Sequence, residues 1–204
     1  MTEMRRVPVD DGGKSKWKRP EDIPEAEVAA TEDEVDDSGP ISEECTCPEL
    51  DPEEWHETES DWSEAPFIHT TVAAMMGVPL RFKHVRGKLE ELAEAAGATV
   101  PDDAMLIFGP GKVRRQVMIE VEVDGDPASR KGVHVPGGIA YSRLVAAPWG
   151  EMKRIARDTE AAAAERYGKK PDALWVWYLT CNICSAERNY ETLFIAHYKK
   201  APAA

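Results

Sequence analysis

The sequence predicts an α+β fold in which two β-α-β-β units form one sheet with both helices on one face. Three observations predict it. Two amphipathic helical stretches stop at Gly97 and Gly168, each with a proline a few residues on; six β-branched or aromatic runs surround them; and an acidic leader stands apart in composition.

The leader comes first. Residues 1–64 carry 22 Asp and Glu against 6 Lys and Arg, a net of −16, so within the total of −13 the remaining 140 residues hold +3. Residues 1–44 have few large apolar side chains and a dense acidic stretch from Glu32 to Asp37. Such a chain cannot bury enough surface to offset its ordering entropy, and it is expected to be disordered. Residues 45–64 are rich in Cys, Trp and Pro and are expected to pack back on the core, which spans residues 65–200. One domain of ordinary size follows.

The first unit opens with a strand over Phe67–Leu80. Its helix runs from Val85 to Ala96, with Val85, Leu89, Leu92 and Ala96 on one stripe, and Gly97 and Pro101 end it. Strands over Ala104–Phe108 and Gln116–Val123 complete the unit, joined by a turn at Gly109–Lys112 that lacks the spacing of a phosphate-binding loop. The second unit repeats the order. A strand over Gly138–Ala146 leads to a helix over Trp149–Tyr167 with Met152, Ile155, Thr159 and Ala163 inward, then Gly168 and Pro171, then strands over Ala173–Thr180 and Tyr190–Tyr198. A cleft between the units is the expected binding place.

Composition also sets exclusions. Met1–Asp11 has no apolar secretory core, and the longest apolar stretch, Val72–Leu80, is interrupted by Gly77 and Pro79. It falls short of the ~18 residues a membrane span needs, so a cytoplasmic protein with no membrane partner is expected. Nucleic acid is disfavoured as a partner, because the leader repels phosphate and the core shows no Arg/Lys stripe.

Four cysteines lie in two places, Cys45 with Cys47 and Cys181 with Cys184. In a reducing compartment a metal or redox use is favoured over disulfides. Two pairs can complete a closed four-thiolate zinc site, although self-contained zinc ribbons keep their pairs about 15–20 residues apart. Structural zinc, a reversible dithiol and unliganded thiols all remain open, and only the fold can bring the pairs together.

Trp175 and Trp177 alternate with Val176 and Tyr178, so both indoles leave one face of a strand, as Tyr190, Phe194 and Tyr198 do on the next. With Tyr141 and Trp149 they could line a cage for a flat apolar or cationic ligand, or simply fill the core. Glu120 shares a face with Met118 and Glu122, where it is a solvated carboxylate or, if half-buried, a counter-charge or proton acceptor. His197, beside Leu193 and Ile195, reads as a hydrogen-bonded, partly buried histidine, with a general base as the sharper alternative.

The twofold order and the passage Ser142–Lys153 resemble GyrI-like small-molecule-binding domains. More closely, the chain resembles stand-alone bacterial members of that family. These open with a Cys-Pro-Glu-x-Asp-Pro segment, here Cys47–Pro52, and close with Cys181-Asn182-Ile183-Cys184 and Asn189-Tyr190. The resemblance covers about Cys47–Lys199. It implies binding of an apolar or cationic xenobiotic between the repeats, with hydrolysis of a reactive, strained ligand in some members. By that analogy Tyr141, Trp149, Trp175, Trp177 and Phe194 form the cage and Glu120 is the acid. The alternative is a zinc-stabilised interaction protein without turnover.

Overall fold

In a computed structural model that describes residues 45, 47–75, 78–80, 83–181 and 183–200, the first element is set by Asp51 and Pro52. The predicted disorder of residues 1–44 lies outside that range. Asp51 accepts a hydrogen bond from the Glu53 amide at 2.9 Å, and Pro52 supplies a preset φ, so a single turn forms, α1 (Pro52–Trp55). The strands follow as β1 (Thr58–Asp61), β2 (Phe67–Met75) and β3 (Val78–Pro79). After α2 (Lys83–Ala95) come β4 (Leu106–Phe108), β5 (Arg114–Glu120), β6 (Val133–His134) and β7 (Ile139–Val145). Then α3 (Met152–Tyr167) leads to β8 (Ala173–Tyr178) and β9 (Thr192–Tyr198).

The result is mixed α+β: one antiparallel sheet with strand order β1-β7-β9-β8-β4-β5-β2-β3, β6 also pairing with β2. Its two centre strands, β4 and β8, meet through Phe108 and Val176. These two side chains therefore emerge on one face. Phe108 packs with Val85, Leu89 and Ala93 of α2, and Val176 with Ile155 of α3, so both long helices cover that face. The opposite face carries Ile107, Met118, Trp175, Trp177, Leu193 and Ile195, and is covered by Trp62 with Leu50 and Trp55. We call residues 45–62 the strap.

Several boundaries differ from the sequence reading. The long strand expected over Phe67–Leu80 is two, because Ala74 and Met75 pair back on Pro79 and Val78. The strand expected over Gln116–Val123 starts at Arg114 and leaves its ladder after Glu120, with Glu122 bridging Thr99 instead. Leu92, expected inward, is 39% exposed, and Ala93 takes its place against the sheet. The second long helix begins as a separate 3₁₀ turn at Trp149–Glu151, and Gly168 stops it at φ 67°. Its inward residues are Ile155, Thr159 and Ala163, with Met152 half-buried at its start. Tyr190, expected to open the last strand, sits before it in a left-handed turn.

Candidate functional site

The strap brings the two cysteine pairs together. Cys45 and Cys181 are 136 positions apart, yet their sulfurs lie 3.7 Å apart, and those of Cys181 and Cys184 lie 3.9 Å apart. All four Sγ atoms fall within 4.8 Å of one another. A tetrahedral ion with metal–sulfur bonds of about 2.3 Å sets its ligands about 3.8 Å apart, whereas a disulfide needs about 2.05 Å. The spacing is that of four ligands to one ion, and the four thiols are free. Backbone hydrogen bonding from Cys184 pulls the Cys181 thiol down to about 6, while burial pushes those of Cys47 and Cys184 up. A bound ion deprotonates coordinating thiols, so a cation held here would offset what burial costs Cys47 and Cys184.

Arg188 reinforces this junction. It donates to the Pro48 carbonyl at 2.7 Å and to the Leu179 carbonyl at 3.4 Å, and pairs with Glu191. No sequence pattern pointed to its contact with the strap, because the Pro48 carbonyl is brought to it by the fold.

The five aromatic residues read as a cage do not form one. Period-2 alternation puts Trp175 and Trp177 on the strap side, where Trp55 meets Trp177 edge-on at 6.1 Å. Phe194 is paired with Val176 and lies on the helix side with Ile155. Tyr141 lies on the helix side as well, against Ala163 and Tyr198. The sheet itself separates the two sets. Trp175 and Trp177 are core, although the Trp175 Nε1 has no hydrogen-bond partner among the described residues. Trp149 stands elsewhere, 55% exposed at the entrance to α3.

Around Trp149 a different aromatic run is assembled. Its indole stacks on Tyr190, centroids 6.3 Å apart at 24°, and meets Tyr178 edge-on at 5.3 Å. Tyr178 in turn contacts Phe108 at 5.7 Å and packs against the clusters under both α2 and α3. Arg115 lies over the Phe108 ring at 5.6 Å and donates to the Tyr178 hydroxyl at 3.4 Å and to the Gly109 carbonyl at 2.9 Å. The run thus starts buried at the sheet centre and ends on the surface. Tyr178 was legible as facing away from Trp177; Arg115 was not, because a single arginine in a strand carries no pattern.

Glu120 lies at the end of β5, half-buried, its Oε2 accepting from the Met105 amide at 3.3 Å. It is paired with Phe67, on the strap side, and lines an open cleft of about 640 Å³ with Glu64, Glu122 and Asp124. It is not brought to the Trp149 run, which lies across the sheet.

Among the described residues no helix is long and apolar enough to cross a membrane. None of the curated proteins compared matches the chain. A family model described as "Bacterial hydrolase" matches residues 37–197, which include the strap, both long helices and all four cysteines. This chain belongs to that bacterial hydrolase family.

Proposed function

We propose that the protein captures a flat apolar or cationic small molecule against the Trp149–Tyr190–Tyr178–Phe108 run and hydrolyses reactive members of that class. The observation that carries this reading is the exposed Trp149–Tyr190 stack, continuous with Tyr178 at the junction of the two helix-bearing clusters. Stacked aromatic faces left in water favour flat ligands and cations. Arg115 already covers the Phe108 ring, so a cationic ligand belongs at the outer pair. The family membership supports the hydrolytic step, in which the run would shield an electrophilic carbon while water attacks it.

The order β2-α2-β4-β5 followed by β7-α3-β8-β9 supports a duplicated, GyrI-like arrangement, with β4 and β8 as the seam. Zinc is the metal we assign to the four cysteines, since four thiolates in a tetrahedron suit it and leave no open position for water. Its role is structural, and free thiols fit a reducing cytoplasm.

The test is a fluorescence titration with ethidium, a flat aromatic cation. Trp149→Ala is expected to weaken binding at least tenfold while the far-ultraviolet spectrum is retained. Unchanged affinity in that variant would remove the run as the ligand site.

A further inference from the structure

The loop between β8 and β9 has two working sides. One presents Cys181 and Cys184 to the strap, and the other presents Tyr190 to Trp149. Two relays of backbone hydrogen bonds connect them. Ser185 donates to the Cys181 carbonyl at 3.0 Å, and Tyr190 donates to the Ser185 carbonyl at 2.8 Å. Arg188 donates to the Cys184 carbonyl at 3.0 Å, and Glu191 donates to the Arg188 carbonyl at 3.1 Å. Each cysteine is thus two hydrogen bonds from the residues that aim the Tyr190 ring.

The backbone between them is under strain. Asn189 and Tyr190 have φ of 47° and 54°, consecutive left-handed residues with side chains; asparagine tolerates that region, whereas for tyrosine it is a strained conformation that persists only where the surroundings hold it. Thr192 of β9 donates its hydroxyl to the Tyr190 carbonyl at 2.8 Å, and the other contacts that hold the turn come from the cysteine side. Arg188 joins the loop to the Pro48 carbonyl and to Glu191, and Cys181 and Cys184 meet Cys45 and Cys47 on the strap. Four sulfurs without an ion hold one another weakly, whereas an ion bonded to all four fixes both Cys-bearing segments at once.

We propose that metal occupancy of the Cys45–Cys47–Cys181–Cys184 centre controls ligand binding at the Trp149–Tyr190 stack. Tyr190 belongs to both, its backbone to the turn beside the centre and its ring to the stack, and the inference rests on the ligand reading given above. The centre does not touch the ligand. It holds the left-handed turn that keeps the Tyr190 ring parallel to Trp149, so loss of the ion lets the turn relax and opens the stack.

Hydrogen exchange and ethidium binding on the full chain, zinc-loaded and after chelation, test the coupling. Zinc removal should speed exchange at least tenfold across residues 183–191, leave residues 106–120 protected, and weaken ethidium binding at least tenfold; added zinc should restore both. In the Tyr190→Ala variant the residual affinity should no longer depend on zinc. Three outcomes overturn the proposal: no zinc uptake, faster exchange without loss of ethidium affinity, or loss of protection in residues 106–120 too, which would make the ion a support of the whole sheet. If ethidium binds neither form, the ligand reading fails, and exchange at residues 183–191 still decides whether the ion orders the Tyr190 turn.

Discussion

The indole of Trp62 lies stacked on the imidazole of His197, their centroids 5.2 Å apart and their planes 29° from parallel. The ring is neutral there, donating its Nε2 proton to the Gly137 carbonyl at 2.7 Å, and burial lowers its pKa. Burial also lowers those of His69 and His134, the latter further depressed by His69, His197 and Lys199. All three bind a proton less readily folded than unfolded. Their stability contribution is therefore complete above about pH 6.5 and is lost as pH falls below it toward the lowered values, at up to ~1.4 kcal/mol per pH unit for the buried His197 and much less for His69 and His134, which are exposed and screened by solvent. Urea midpoints at pH 7.5 and 5.5 should drop more in the wild type than in His197→Gln, and an equal drop would remove His197 from the acid response.

Purified protein should carry about one zinc per chain with all four thiols protected from reagent. Chelation should then lower stability by ~3 kcal/mol or more, roughly 6–12 °C in melting temperature for a domain of this size. Four reactive thiols in metal-free protein of unchanged melting temperature would refute the centre.

Gly109 turns the chain out of β4 directly over Trp175. A Cβ built there would sit 2.4 Å from the indole Cζ3. Because the indole is buried in the strap-side core, it cannot swing away, and Gly109→Ala should cost ~1–3 kcal/mol. The double variant with Trp175→Phe should recover part of that loss; strict additivity in denaturation would argue against the clash.

Thr159 is fully buried on α3, and its Oγ1 has no hydrogen-bond partner among the described residues. Thr159→Val removes that unpaired hydroxyl at nearly constant volume and should stabilise by about 1 kcal/mol, seen as a higher urea midpoint. A lower midpoint would mean that the hydroxyl is satisfied in solution.

Much of the fold was readable from local chemistry. Gly97 and Gly168 end the long helices at φ 66° and 67°, and alternation along Ala173–Tyr178 separated Trp177 from Tyr178 correctly. Facing was harder, because it depends on pairing. Nothing in Leu193–Tyr198 says that Phe194 pairs with Val176 and not with a tryptophan, so the aromatic residues looked like one set. Strand β1 was missed outright: Thr58–Asp61 is mostly exposed and carries two acids, and it pairs with β7 as an edge. The cysteine centre was legible in residue type and count, while its closure needed the strap to cross the sheet. Tyr190 escaped as a turn residue because left-handed backbone without glycine leaves no mark in sequence.

The cysteines also impose an order on synthesis. Cys47 precedes Cys184 by 137 positions, which at about 5–20 residues per second separates their emergence by roughly 7–27 s. During that interval Cys45 and Cys47 are exposed thiols on a growing chain, with no partners yet made. Only after β8 has been synthesised can the four sulfurs meet, so a product truncated before Cys181 is left with an open pair of thiols.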